Sequence, residues 1–411
     1  MKRIYTSVDI GSDTIKVVVC ELYKNKINLL AATSVLNKGL KKGLITDVDS
    51  VKKSVKTAIN KIEEMLGIKI DKVLTNIPSY FAEFKMLNST ISVNNEENII
   101  TGKEVNNVIE ASLKNYNDYT REIITFIPID FKANDEIVKD PKGIKSKDLS
   151  TRGILVTTPK KNIYSVVGLL ESLNLEVSDI SLGSIGDYAS LKDKELDKKA
   201  GFIVNIGGEI TNISLFNKGI MINNSIVQRG GQNIDSDIAY IYKLDIEVAK
   251  QIKEKYALAH KNYANDSENI SVINRLGEKI EISERELSEI VYSRLEEMLN
   301  LIKKEINGLA NREIDYIIVT GGTTNIPYFD KIIEPLLGKI AKVGEIKIVG
   351  IRNNKYSSCL GTIVSFIQKL RLKGNDYTMV DNEDALILSS PRKSNTNETN
   401  ILKALIGFFD E

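Results

Sequence analysis

Three glycine turns carry the residues of this sequence best suited to chemistry. They are Gly11 within Val8-Asp9-Ile10-Gly11-Ser12-Asp13, Gly207-Gly208 within Val204-Asn205-Ile206-Gly207-Gly208-Glu209, and Gly321-Gly322-Thr323 after Ile317-Ile318-Val319-Thr320. A glycine at a turn lets backbone amides approach an anion with no side chain in the way. Two such hairpin turns facing each other clamp a triphosphate through N–H groups from both sides. A Gly-Gly turn that opens a helix takes a nucleoside or its first phosphate against backbone. Asp9 is the carboxylate placed to orient a magnesium ion through its waters. Asp13 and Lys16 flank the same turn, and Lys16 either contacts phosphate or points outward from its strand. The pattern suits a nucleoside triphosphate with Mg2+.

Little else in the composition offers a reaction centre. The 411 residues hold a single histidine, His260, and two cysteines, Cys20 and Cys359. A histidine triad has no freedom of placement, and a four-ligand structural zinc site lacks its soft ligands. Both cysteines lie in apolar stretches and read as buried thiols, and His260 reads as a surface or capping residue. Lys+Arg (56) and Asp+Glu (55) balance to a net charge of +1, so no basic field recruits nucleic acid. No run approaches the ~18 apolar residues of a spanning helix. Asp9 comes too soon after Met1 for a signal-peptide core.

The elements that must position these turns follow from periodicity. Ile4–Glu21 alternates around the first turn and reads as a hairpin. Val8-Asp9-Ile10-Gly11 followed by a strand to Val19 recurs as Val204-Asn205-Ile206-Gly207 followed by a strand to Phe216, a weak internal repeat. Helices are expected at Val48–Leu66, Tyr164–Leu173, Ile238–Tyr242, Glu247–Ala257, Glu284–Leu309, Pro327–Leu336 and Tyr356–Lys369. Buried strands are expected at Val73–Pro78, Val177–Leu182 and Tyr316–Val319. Between them, Phe84–Ile154 reads as an inserted α+β unit. It has strands at Lys85–Val93, Ile123–Phe131 and Gly153–Thr157, and a helix opened by the capping box Thr101-Gly102-Lys103-Glu104. Gly374–Asn397 is polar and without period, a flexible linker.

The three turns together resemble the phosphate-1, phosphate-2 and adenosine motifs of the actin/Hsp70 superfamily. Within it the chain most closely resembles the FtsA family of bacterial cell-division proteins. That likeness is carried also by Gly230-Gly231-Gln232-Asn233-Ile234-Asp235-Ser236-Asp237-Ile238-Ala239, Pro128-Ile129-Asp130-Phe131 and Lys139-Asp140-Pro141-Lys142-Gly143. It implies an α/β, two-lobed actin-like (ribonuclease H-like) fold with an inserted SHS2-type 1C subdomain. The implied boundaries are 1A at 1–83, 159–199 and 356–372, 1C at 84–158, 2A at 200–231 and 312–355, and 2B at 232–311. A linker at 373–397 and a membrane-targeting helix at 398–411 complete the chain. The resemblance further implies nucleotide contacts at Gly11, Ser12, Asp13, Lys16, Gly207, Gly208, Gly230, Gly231, Lys253, Gly321, Gly322 and Thr323. Lys253 falls at a ribose-contacting position, and Lys250 stands at a nearby position that is acidic in relatives. Arg294 resembles an arginine of the 2B region that receives the C-terminal tail of the tubulin-like protein FtsZ; the alternative is a solvated residue on a long helix. Lys303 extends the same basic surface. Filaments of the chain with itself, attachment to the cytoplasmic face of the membrane at the septum, and recruitment of later division proteins are implied as well.

The sequence departs from the superfamily pattern at the second turn. Asn205 and Asn212 stand where carboxylates are usual, Glu209 where a third glycine is usual, and Thr323 takes the third glycine's place in the last motif. Asp9 and Asn205 hold the two catalytic positions, with Asp9 alone left to serve the metal. An amide lacks the charge that holds hydrated magnesium and orients attacking water. ATP binding with slow or absent hydrolysis is therefore expected.

At the C-terminus, Ile401, Leu402, Leu405, Ile406, Phe408 and Phe409 fall within an arc of about 160° on a helical projection. Behind a polar tether this reads as an interfacial anchor rather than a core helix. Two alternatives share the scaffold. One is a PilM-like pilus-assembly homologue. The other is a small-molecule kinase, for which the amide at Asn205 and the apolar tail are poorly suited.

Overall fold

The computed structural model describes residues 2–389 apart from Asn115, Asp266, Glu268 and Arg312. The expected anchor residues Ile401 to Phe409 lie outside the described residues.

Val- and Ile-rich segments build two five-stranded sheets of one topology. The first runs, in spatial order, Glu176–Leu182, Lys72–Ile77, Arg3–Ile10, Thr14–Tyr23, Lys26–Leu36. The second runs Ala341–Val343, Tyr316–Thr320, Ala200–Ile206, Thr211–Asn217, Ile220–Val227. In each, the central strand pairs antiparallel with its successor and parallel with a later strand. The registers match as well: Asp9 lies opposite Lys16, and Asn205 opposite Asn212. The sequence repeat is therefore a repeat of topology. Both central strands are buried along nearly their whole length, as parallel strands covered on two faces must be.

Two helices join the lobes. Gly183–Leu191 leads from the first sheet into the second, and Ser357–Lys373 returns. They touch backbone to backbone: a Cβ on Gly361 would lie 1.7 Å from the carbonyl oxygen of Gly186, and one on Gly186 would lie 2.5 Å from that of Ser358. Only glycine permits that approach. The second sheet is covered by Gly231–Tyr242, Ile246–Tyr256 and Glu284–Leu309, whose apolar faces share one core with Phe202, Val204 and Val319.

The inserted unit has its own core around Phe126, Phe131, Val105 and Leu149. Its sheet orders Glu83–Ser92, Asp148–Pro159, Arg121–Ala133, Glu136–Val138. The helix Gly102–Leu113 packs on it, capped as the sequence predicts. The Thr101 amide donates to Glu104 at 2.8 Å, and the Lys103 amide donates to the Thr101 hydroxyl.

Two differences from the sequence reading have physical reasons. Pro327 starts no helix: a 3₁₀ turn, Gly322–Asn325, follows the glycines, and the helix begins at Asp330. Tyr328 between them takes φ 63°, which breaks any continuous helix. The polar stretch after Gly374 is not free as far as residue 389. Met379 donates its amide to the Ile4 carbonyl at 3.0 Å, Tyr5 donates its hydroxyl to the Tyr377 carbonyl at 2.9 Å, and Met379 and Val380 are buried. A helix, Asn382–Ser389, follows. A few apolar side chains thus dock a segment whose average composition is polar.

Candidate functional site

Each of the first two glycine turns closes in the same way. The Gly11 amide donates to the Thr14 carbonyl at 3.1 Å, and the Gly207 amide donates to the Ile210 carbonyl at 3.0 Å. These glycine amides are therefore spent within their own hairpins. The amides of Ser12, Asp13 and Gly208 take no part in the backbone bonding of either turn.

The turns face one another. A Cβ on Gly208 would lie 2.8 Å from the Cβ of Asp13 and 3.5 Å from the Ser12 hydroxyl oxygen. Behind them the helix start at Gly230-Gly231 locks onto the second turn. The Gly231 amide donates to the Gly207 carbonyl at 2.9 Å, and the Gln232 amide donates to the Gly208 carbonyl at 2.8 Å. A Cβ on Gly230 would sit 2.4 Å from the Gly208 carbonyl oxygen, so this contact too is backbone on backbone. Gly321, at φ 99°, passes over the Asn205 side chain: its Cβ position lies 2.5 Å from Asn205 Oδ1. The Thr323 hydroxyl reaches to 3.5 Å from the Gly207 carbonyl. Gly322 lies in ordinary contact with Lys355. All three turns thus meet between the lobes.

The charged residues settle into pairs. Lys16 Nζ sits 2.9 Å from Asp9 Oδ2, with both side chains largely buried. Burial works against the Lys16 charge, yet the Asp9 carboxylate outweighs it and holds the ammonium above its ordinary pKa. Lys250 Nζ takes both oxygens of Asp13 at 2.7 and 2.8 Å. Lys253 is buried 2.6 Å from Asp235 and donates to the Gly231 carbonyl at 3.2 Å, so it braces the helix start. Burial pushes the Asp235 pKa up even against Lys253. Glu209 does not stay at the turn: the Lys42 amide of the first lobe donates to its carboxylate.

Sequence reasoning missed one residue of this site. Asp187 lies at the hinge, 1% exposed, on the helix Gly183–Leu191. It accepts from Ser357 at 2.6 Å, from Ser358 at 2.7 Å and from Asn205 Nδ2 at 2.8 Å. Burial raises its pKa to about 6; the three hydrogen bonds oppose the rise and the nearby Asp9 charge adds to it. No amphipathic stripe marks this helix because it is buried on nearly every side and broken by Gly183 and Gly186.

These residues fit the phosphates of a nucleotide, on the glycine packing and the turn amides that make no backbone bond. They fit a metal poorly. Lys16 already neutralises Asp9, and among the described residues no three His, Cys, Asp or Glu side chains cluster to hold an ion. Asn212, opposite Asn205, keeps a buried Oδ1 with no hydrogen-bond partner.

The two residues expected to bind a partner sit apart from this site. Arg294 makes a bidentate pair with Asp237 at 2.6 and 2.8 Å and also bonds Glu297. Lys303 is exposed. Nine residues of helix put about 180° between them, so they form no common basic face. His260 caps the 3₁₀ turn Lys261–Tyr263, accepting the Asn262 amide at 3.2 Å. Both cysteines are buried and free.

Comparison with known proteins places the chain. A family model described as type IV pilus assembly protein PilM matches residues 7–267, and one described as cell division protein FtsA matches residues 202–361. Relatives that match over most of the chain include FtsA proteins. The cell division protein FtsA of Bacillus subtilis is 25% identical over 389 residues, 93% of this chain and 88% of that protein. That of Enterococcus hirae is 27% identical over 364 residues, 87% of this chain and 82% of that protein. The chain belongs to the PilM-type family that the model over residues 7–267 defines. Within that group it is similar to FtsA proteins over nearly its whole length. Solved structures agree on an actin-like fold. The PilM-PilN type IV pilus biogenesis complex gives a TM-score of 0.59 at 12% identity over 88% of this chain and 98% of that one. MreB5 of Spiroplasma citri bound to ADP gives 0.56 at 13% identity over 90% and 98%. The FtsA model's span, 202–361, holds the second and third glycine turns, Lys253 and Arg294.

Proposed function

We propose that this chain is a nucleotide-binding, actin-like scaffold of bacterial cell division that links the C-terminal tail of FtsZ to the cytoplasmic membrane. The observation that carries this reading is the meeting of the duplicated glycine turns at Gly11 and Gly208 between two lobes, in a chain that FtsA proteins match over nearly its whole length. ATP is the nucleotide we assign. Magnesium would arrive with its phosphates rather than on a site of the chain's own, and hydrolysis is slow, because Asn205 is neutral and Asp9 is already paired. Self-assembly into filaments would multiply weak contacts of single chains with lipid through avidity. Later division proteins would be recruited to the assembled form at the septum. No helix among the described residues is long and apolar enough to cross a membrane. Attachment therefore falls to the apolar arc from Ile401 to Phe409.

The PilM match favours a second reading, in which the first two thirds of the chain serve a pilus-type assembly instead. Titration of the purified chain with a synthetic FtsZ C-terminal peptide separates the two. Saturable binding supports the division scaffold, and its absence up to millimolar peptide overturns it. A small-molecule kinase is disfavoured by the same neutral Asn205.

A further inference from the structure

We propose that Asp187 is the positioning residue of the second glycine turn, and that Asp187 and Asn205 are a matched pair in which the acidic group of the turn has moved to the hinge. Asp187 would hold the Asn205 amide with its nitrogen toward the hinge and its oxygen toward the nucleotide.

The duplicated hairpins allow a position-by-position comparison. Asp9 and Asn205 are equivalent, and so are their ladder partners Lys16 and Asn212. In the first hairpin the carboxylate finds its cation across the ladder, at 2.9 Å. In the second the ladder partner is uncharged, so a carboxylate at 205 would find no cation there. What faces position 205 is Asp187 Oδ2, 2.8 Å away. Two carboxylate oxygens at that distance in a buried site cannot both be ionised. An amide removes the conflict because it carries donors on one side and an acceptor on the other.

The orientation of that amide is fixed by its neighbours. Asn205 Nδ2 donates to Asp187 Oδ2 and to the Ser358 hydroxyl at 3.1 Å, both on hinge helices. Asn205 Oδ1 lies against Gly321, on the side of the three turns. Asp187 is itself held by Ser357 and Ser358, and the Thr320 hydroxyl donates to Ser357 at 3.1 Å. Four segments thus converge on one carboxylate: both hinge helices and the ends of the strands Ala200–Ile206 and Tyr316–Thr320.

The test uses the full chain and three variants, Asn205→Asp, Asp187→Asn and the double exchange. Thermal melting without nucleotide, from pH 5 to pH 8, reads the pair itself. Asn205→Asp is expected to melt lower, with a deficit that grows as pH rises, and the double exchange to recover it. If Asn205→Asp does not fold at pH 8, recovery at pH 5 or in the double exchange is the same result. Affinity for a fluorescent ATP analogue reads the positioning, which rests on the nucleotide-binding reading. Asp187→Asn frees the amide to turn and is expected to weaken binding about tenfold, the loss of one buried hydrogen bond. The double exchange should return affinity to within about twofold. A wild-type chain that binds no analogue would fail the nucleotide reading while leaving the melting result intact. Additive effects in the double exchange, or an Asn205→Asp deficit independent of pH, would overturn the matched pair.

Discussion

Lys250 of the second lobe grips both carboxylate oxygens of Asp13, a residue of the first lobe's glycine turn. This ion pair stands at the head of a row of contacts between the lobes. Lys38 pairs with Glu247, Lys42 Nζ bonds Gln228 Oε1 at 2.7 Å, and the Lys42 amide bonds Glu209. All of them span the same gap as the first two glycine turns. On the nucleotide-binding reading proposed above, the row would act as a latch on a nucleotide held between those turns.

The first prediction concerns that latch. Both side chains of the Asp13–Lys250 pair are only partly exposed, so the pair is worth more than the usual surface bridge, about 1 kcal/mol. Lys250→Gln should raise the release rate of a fluorescent nucleotide roughly fivefold. Raising ionic strength should bring the wild-type rate toward that of the variant, because screening weakens the pair. Stopped-flow displacement at low and high salt measures both, and unchanged release at low salt would remove the latch.

A second prediction follows from the Asp187 carboxyl, whose pKa burial raises to about 6. Its folded value lies above the unfolded one, so the folded state binds the extra proton. The stability it contributes is complete below the unfolded pKa near 4 and is lost as pH rises through 6. Asp187→Asn removes this dependence. Subtracting the melting curves of the variant from those of the wild type should give a difference that changes between roughly pH 4 and 6 and is flat above. A flat difference across the whole range would mean that the carboxyl does not titrate there.

The turns, the repeat and the long amphipathic helices were legible in the sequence because each leaves a local mark. Glycine at a tight turn, a Val-Asp-Ile-Gly echo and a period near 3.6 all lie within short windows. The hinge left none. Asp187 gains its meaning from Ser357 and Ser358, 170 residues away, and its helix is too uniformly buried to show a face. The pairing of Lys250 with Asp13 was equally hidden, since it joins opposite lobes. The pairing of Arg294 with Asp237, 57 residues earlier, left no mark in the sequence either. The segment after Gly374 shows the limit of average composition, because Tyr377, Met379 and Val380 are enough to dock it.

The third prediction contrasts two glycines. A methyl group at Gly230 would meet the carbonyl oxygens of Gly208 and Gly207 at 2.4 and 2.5 Å, neither of which can yield without opening the second turn. Gly230→Ala should destabilise the second lobe by about 1–3 kcal/mol and weaken nucleotide binding. Gly168, inside the helix Lys160–Glu171, has nothing within 4 Å of its Cβ position. Gly168→Ala should leave binding unchanged and add up to about 1 kcal/mol of stability. Denaturant unfolding of both variants, alongside nucleotide titration, checks the contrast, and equal effects would show that the close approach at Gly230 does not matter.

The last prediction separates two parts of the C-terminus. Residues 375–389 belong to the folded body. The Ile4 amide bonds the Thr378 hydroxyl at 3.1 Å, the Met379 amide bonds the Ile4 carbonyl, and Phe366 packs its ring edge to face with Tyr377 at 5.9 Å between centroids. A chain ending at Gly374 uncovers Met379's and Val380's sites on the first sheet and should lose about 2–4 kcal/mol, after the entropy regained by the freed segment. A chain ending at Ser389 keeps all of these contacts and should melt with the full chain. It lacks the apolar arc from Ile401 to Phe409, so it should no longer sediment with anionic lipid vesicles. Lys403 is the only cation among residues 400–411, so pelleting of the full chain should depend weakly on salt. Equal pelleting of the full chain and the chain ending at Ser389 would rule out the arc as the anchor. Equal melting of the chains ending at Gly374 and Ser389 would instead mean that the docked segment adds nothing to the fold.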